Sequence, residues 1–523
     1  MSARLTRRRT APAVRSPIHY RVEPADLHAH LFQVTLSIAR PALDQVLSLP
    51  VWIPGSYLVR EFSKSLQQLS ARQGKKQLPL EQLDKHSWRV HANASESLEL
   101  SYQVYALDNS VRSAWLDAAR GFFNGTSLCL RVHGQEQQAH GLELVPTPAT
   151  ALWSVATGLA PQSCDKAGWG NYLAVDYDEL VDCPVEMGCF WSGSFKARGI
   201  AHRFVLAGET AAFDGQRLLG DVKKICETEI SFWHGRNGTA PHRNYLFMLN
   251  AVDDGFGGLE HRNSTALICQ RRDLPRLDTV QQSEGYGTLL GLISHEYFHT
   301  WNVKRLRPAD FLRYHYDSEQ YTRLLWFFEG FTSYYDDLLL RRAKLLDDAG
   351  YLLLLCKTIN QVLRTPGRKL QSVAQASMDA WVKYYRQDEN TPNATVSYYS
   401  KGALVALCLD LSLRVEGRSH LDAVMRTLWQ RCQGGAMTQE DLAQVLLELG
   451  GRSFERELAA WVHGKADLPL KDLLPRFGVR VHEDPAPLAQ QLGLRVSESQ
   501  GVQIKHVLRG SAAERAGFAA GDE

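Results

Sequence analysis

The chain predicts a multidomain α+β protein, and three features of its patterning carry that prediction. Over residues 18–177, runs such as Phe32-Gln33-Val34-Thr35-Leu36-Ser37-Ile38 and Leu98-Glu99-Leu100-Ser101-Tyr102-Gln103-Val104 alternate apolar with polar. That period of two belongs to half-buried antiparallel strands. Two later stretches, residues 283–302 and 318–344, repeat their apolar positions at helical spacing. From Tyr351 to Leu474 the pattern is mainly helical, with Leu442, Val445, Leu446 and Leu449 on one face. A length of 523 residues calls for several domains, and 44% hydrophobic with 22% charged residues is a globular balance.

Taken in order, the first residues, MSARLTRRRTAPAVRS, are basic, but His19, Arg21, Glu23 and Asp26 interrupt any apolar run of signal-peptide length. A flexible basic arm is expected at 1–16, and the missing hydrophobic region argues against a twin-arginine signal. A β domain follows at 17–180. Strand-like passages continue through Phe190–Phe204 and Tyr245–Leu249 and lead to Gly257-Gly258-Leu259-Glu260-His261. Lys and Arg number 59 against 57 Asp and Glu, so no polyanionic partner is expected, neither nucleic acid nor anionic membrane. Nine scattered cysteines include no Cys-x-x-Cys pair; Cys356 and Cys408 sit in apolar helical patterns and read as core, and reduced thiols suit the cytoplasm.

The chemistry concentrates in His295-Glu296-Tyr297-Phe298-His299. Two imidazoles one helical turn apart lie on one side, with a carboxylate between them, as a zinc hydrolase requires. At about 100° per residue, a helix over 283–302 puts Thr288, Gly291, His295, His299 and Asn302 on one face. Tyr286, Leu290, Ile293 and Tyr297 lie opposite, free to anchor in a core.

A zinc site that keeps one position open for water needs a third protein ligand. In the next helix, Leu324, Phe327, Phe331, Tyr334 and Leu338 form one side, while Glu329, Thr332, Ser333 and Asp336 form the other. Glu329 is the favoured third ligand and Glu319 its competitor. Gly330 costs an ordinary helix up to about 1 kcal/mol, which makes sense where another backbone must approach closely. Metal-bound imidazoles donate their second N–H to an acceptor, and Asp336, Thr332 and Asn302 are candidates for that support.

The run HEYFHTWN followed by FFEGFTSYY resembles the zinc core of gluzincin aminopeptidases, and especially the glycyl aminopeptidase family with a PDZ domain. In alanyl aminopeptidases and leukotriene hydrolase the third ligand is the Glu of a similar Glu-Gly-aromatic run, but it follows the second His more closely. The extra residues between Arg305 and Gln320 fit the longer spacing of the glycyl family and are expected to form a loop near the cleft. The resemblance implies a thermolysin-like zinc catalytic domain at 181–348, with one zinc ion on His295, His299 and Glu329, and a helical C-terminal domain at 349–480. Residues 488–523, with Gly510-Ser511-Ala512-Ala513-Glu514-Arg515-Ala516-Gly517, resemble the front half of a PDZ domain. Binding of peptide tails is expected only of a complete module.

Two further motifs follow from the resemblance. Gly257-Gly258-Leu259-Glu260-His261 resembles the Gly-x-Met-Glu-Asn exopeptidase motif, in which glycines let an extended backbone lie against the substrate and the Glu receives its α-ammonium. Tyr399-Ser400-Lys401-Gly402 resembles the Tyr-x-Lys-Gly run whose Tyr hydrogen-bonds the oxyanion. A phenol stays protonated at neutral pH and can donate to developing negative charge. Tyr398 is close enough to exchange roles with Tyr399, and Lys401 reads as structural.

The expected mechanism is zinc hydrolysis. The ion lowers the pKa of its water to about 7 and polarises the carbonyl, Glu296 is the general base, Tyr399 and zinc share the oxyanion, and Glu260 holds the amino terminus. The expected function is an aminopeptidase acting on peptides with a free N-terminus, preferring Gly or Ala there by resemblance alone. The alternatives are a zinc endopeptidase of the same fold and a non-catalytic PDZ-bearing scaffold.

Overall fold

A computed structural model describes residues 16–279, 281–485, 488–498 and 501–523. All but the last residue of the expected basic arm lies outside them. The chain divides into two compact units, one holding residues up to Val51 together with Glu61–Trp191, the other holding Trp52–Arg60 and Ser192–Glu523. The boundary at Trp191 falls later than the expected 180. Residues 192–523, which span the expected catalytic, helical and terminal parts, fall in the second unit.

The first unit is built on an eight-stranded sheet. Its strand Leu31–Ile38 alternates half-buried and buried positions and pairs antiparallel with Leu98–Tyr105. Phe32, Val34, Leu36 and Ile38 meet Leu98, Leu100, Tyr102 and Val104 on the buried face, so the alternation read from the sequence is the inside–outside pattern of this sheet. One pairing is parallel, Ile18–Asp26 with His140–Leu144, a departure from the antiparallel expectation that a crossover of more than a hundred residues permits.

The second unit carries a five-stranded sheet. Its strands are β1 (Trp191–Ala197), β2 (Ile200–Ala207), β3 (Asn244–Val252), β4 (Gly257–Glu260) and β5 (Ser264–Gln270), in the order β1-β2-β3-β5-β4. β2, β3 and β5 run parallel, which buries β3 almost throughout, whereas β4 turns back antiparallel onto β5 and lies at the edge.

Helix α1 (Gly215–His234) is followed by α2 (Glu284–Phe298), α3 (Leu325–Arg342) and α4 (Tyr398–Val415). Ser283 caps α2 by accepting the Tyr286 amide, and Ser397 caps α4 by accepting the Ser400 amide. α2 stops at Phe298, short of the expected Asn302, and His299 is its C-cap.

Helices α3 and α4 cross backbone to backbone. A Cβ on Gly330 would lie 2.6 Å from Gly402 Cα, and one on Gly402 would lie 2.5 Å from the Trp326 carbonyl oxygen. Two glycines on facing helices make that approach, as the helical position of Gly330 suggested.

All nine cysteines are free. Cys408 is buried in α4 as expected, but Cys356 is exposed. Its helix, Asp348–Leu363, buries only Val362 fully, and Leu352 and Leu353 are exposed beside it; the apolar run was read as core where the helix is peripheral. No helix among the described residues is long and apolar enough to cross a membrane.

Candidate active site

Helix α2 brings His295, Glu296 and His299 to the site, and α3 brings Glu329. His295 and His299 turn their rings nearly perpendicular, 85° apart with centroids at 4.7 Å. Their Nε2 atoms stand 3.6 and 3.3 Å from the same Glu329 oxygen, Oε2. The competitor Glu319 is exposed and belongs to no such cluster.

The other nitrogen of each imidazole is already engaged. His295 Nδ1 donates to Asp336 Oδ2 at 3.0 Å, and His299 Nδ1 donates to the Asn302 carbonyl at 2.7 Å. Both Nε2 atoms thereby face Glu329 and are the ones that could offer a lone pair to an ion. Of the three candidate supports, Asp336 meets one imidazole with its side chain and Asn302 the other with its backbone carbonyl, whereas Thr332 meets neither and accepts from the Asn302 side-chain amide, which also donates to the Phe328 carbonyl.

His295, His299 and Glu329 offer donor atoms within 4.8 Å of one another. Tetrahedral zinc with bonds of about 2.0–2.1 Å separates its ligands by roughly 3.3–3.4 Å, which the two nitrogen–oxygen distances approach. Two imidazoles with one carboxylate is also a donor set that suits zinc. The residues fit the ion.

The electrostatics follow from burial. Desolvation raises Glu329, but the His299 and His295 imidazoles outweigh it and hold its carboxyl at about 2. Desolvation lifts Glu296 to about 7, opposed by the two imidazoles. Its Oε2 is buried without a hydrogen-bond partner among the described residues, an acceptor left open inside the site. Burial, then the Glu329 carboxylate, push the Tyr399 phenol well above its ordinary value, so it is a proton donor at neutral pH.

Tyr399, in the first turn of α4, stacks on His295 with centroids 6.2 Å apart. Tyr398 stacks on Tyr399 with centroids 4.8 Å apart; it is fully buried, and its hydroxyl has no hydrogen-bond partner among the described residues.

The edge strand β4 supplies the remaining expected residues. Glu260 is buried, and its carboxylate groups with those of Glu296 and with His299 inside 4.8 Å. Gly257 has φ +151°, which side chains rarely adopt. At Gly258 a Cβ would stand 2.2 Å from Glu296 Oε1. That glycine clears room for Glu296, a role the motif reading had given to approach of the substrate.

Sequence reading missed two contributions. Glu229 of α1 is fully buried, and Ser294 Oγ lies 3.0 Å both from its Oε1 and from the Asp336 carbonyl oxygen. The turn around Gly55, over two hundred residues upstream, lies against Glu260. Its Pro54-Gly55 pair signals a turn but no chemistry.

Asp336 gives a direct test of the support around His295. Asp336→Ala is expected to weaken zinc binding about 10- to 100-fold, the usual loss when such a partner is removed. Competition against a chelator reads it, and an affinity within about twofold of the parent would show that Asp336 holds nothing in place.

Comparison with known proteins agrees with this geometry. Residues 19–189 match the family model described as the Peptidase M61 N-terminal domain, and residues 288–405 match that of M61 glycyl aminopeptidase. An aminopeptidase N family protein from Idiomarina loihiensis is similar in structure, with 41% identity, 96% of this chain and 88% of that chain covered, and a TM-score of 0.92. An M1 zinc metallopeptidase from Deinococcus radiodurans shares the fold at 15% identity and a TM-score of 0.52, with 87% of this chain and 95% of that chain covered. A mutant of that enzyme bound to a Tyr-Ser-Ala substrate gives 15% identity, the same coverage and a TM-score of 0.51. No curated protein sequence matches the chain.

Proposed function

Since this chain belongs to the M61 glycyl aminopeptidase family, we propose that it is a zinc-dependent aminopeptidase that hydrolyses the first peptide bond of peptides with a free amino terminus, preferring Gly or Ala there. The observation that carries the exopeptidase reading is the grouping of Glu260, Glu296 and His299, with donor atoms inside 4.8 Å. A carboxylate that close to the metal donors leaves an α-ammonium only one residue's length from the reacting carbonyl. The preference for small residues rests on the family.

His295, His299 and Glu329 would hold the ion, which when bound acts as a Lewis acid on the carbonyl and makes water a stronger nucleophile. Glu260 binds the ammonium by charge and counts residues from the amino end. Glu296, with its open acceptor oxygen, takes the proton of the attacking water and delivers it to the leaving amine. Tyr399 donates to the oxyanion as it forms, a contact strongest in the transition state. The free thiols are consistent with action in the cytoplasm.

Zinc content measured alongside cleavage of Gly, Ala and Leu anilides, with and without chelator, tests the proposal. Chelator-sensitive cleavage favouring Gly and Ala is expected, with an amino-acetylated peptide left intact. Equal cleavage of free and acetylated peptides would replace the exopeptidase by an endopeptidase.

A further inference from the structure

The segment Trp52–Arg60 belongs to the second unit, although nearly all its sequence neighbours belong to the first. It makes a tight turn, with the Ser56 amide donating to the Ile53 carbonyl at 3.0 Å and an isolated bridge joining the same two residues. Gly55 sits at its apex with φ +95°, and a Cβ there would lie 2.6 Å from both carboxylate oxygens of Glu260. No side chain can occupy that space while Glu260 keeps its position.

The turn is clamped on several sides. Trp52 donates its indole N–H to the His315 carbonyl at 2.7 Å, Tyr385 donates its hydroxyl to the Gly55 carbonyl at 3.4 Å, and the Tyr57 ring stacks on Phe311 at 5.9 Å. The loop after Arg305 and the region before α4 thus hold it from both directions.

Tyr57 is 1% exposed, yet its hydroxyl makes no hydrogen bond among the described residues. Beyond desolvation, the groups acting most strongly on its phenol are the carboxylates of Glu329 and then Glu260. A hydroxyl that lacks a protein partner, on a ring two residues from the turn that lies against Glu260, has hydrogen-bonding capacity left for a ligand.

Building on the aminopeptidase reading above, we propose that Tyr57 is a second substrate-binding residue, its phenolic oxygen accepting a hydrogen bond from the substrate's α-ammonium beside Glu260, and that Gly55 is the positioning residue that sets where the Glu260 carboxylate stands. Recognition of the amino terminus is then shared between β4 and a turn from far upstream. The ligand class is a primary α-ammonium, with one proton directed to the Glu260 carboxylate and another to the neutral phenol.

Binding of glycinamide and of N-acetylglycinamide to the zinc-loaded protein, followed by equilibrium titration, tests this. The parent is expected to bind glycinamide and reject the acetylated form. Tyr57→Phe should weaken glycinamide about ten- to a hundred-fold, the worth of one hydrogen bond to a charged group, and raise KM for a glycine anilide with kcat little changed. Gly55→Ala should weaken glycinamide and lower the unfolding midpoint. Adding Glu260→Asp, shorter by one methylene, should restore part of that midpoint, whereas Glu260→Asp alone should not raise it. Tyr57→Phe binding within about twofold of the parent overturns the role of Tyr57, and additive midpoints overturn that of Gly55. A parent that binds both amides alike overturns the aminopeptidase reading and this inference with it.

Discussion

Glu296→Gln is expected to keep its zinc and lose turnover by a factor of about 10²–10⁴, the range general acid–base catalysis supplies. The substitution preserves shape, so Gly258, whose missing Cβ clears Glu296 Oε1 at 2.2 Å, still accommodates the side chain. What disappears is the ability to accept a proton at a buried carboxylate oxygen of Glu296 that has no hydrogen-bond partner among the described residues. His295, His299 and Glu329 are untouched, so metal analysis of the variant should match the parent. Near-normal kcat on a glycine anilide in a zinc-replete variant would remove Glu296 from the role of base; loss of zinc together with activity would make it a structural residue of the site.

The second large effect is expected in stability. Gly330→Ala places a methyl 2.6 Å from Gly402 Cα, 2.7 Å from its carbonyl carbon and 2.9 Å from the Tyr398 carbonyl oxygen. These are backbone atoms of a buried helix and cannot rotate away, so α3 and α4 must separate. Overpacking of this kind costs about 1–3 kcal/mol or more, read as a lower midpoint in calorimetry. Turnover should fall as well, because Glu329 adjoins Gly330 on α3 while Tyr399 stands near Gly402 on α4. Gly220→Ala is the matched control. It lies within α1 and nothing stands within 4 Å of its added Cβ, so better helix propensity should raise stability by up to about 1 kcal/mol. Equal effects of the two substitutions would mean that the helix crossing does not govern the result.

Much of the site could be read from the sequence because its parts are local. His295, Glu296 and His299 fall within five residues, and helical spacing alone puts both imidazoles on one side. Glu329 followed because it lies on the face of its helix opposite the apolar stripe; the close approach that Gly330 marked is the crossing with Gly402 on α4. The strands Leu31–Ile38 and Leu98–Tyr105 were legible because each buries one face only. What escaped were groups whose role depends on distant neighbours. Glu229 sits among Lys223, Lys224 and Glu227 and reads as solvent-facing charge until Ser294 is seen beside it. Gly55 reads as an ordinary turn until Glu260 is placed against it. The helix over Asp348–Leu363 failed in the opposite way, since an apolar run gives no sign of how much protein covers it.

The proposed metal donors come from two places of very different kind. His299 draws its support from the Asn302 carbonyl three residues on, so a single octapeptide, His295 to Asn302, carries two of the three proposed donors, the proposed base and the tether of one ring. The third donor and the tether of the other ring, Glu329 and Asp336, arrive only when a second helix docks. During refolding, the first half can form as soon as one helical turn does, while the second must await tertiary assembly. Tight zinc capture is therefore expected late in refolding, with a bound ion reporting that the two helices have docked.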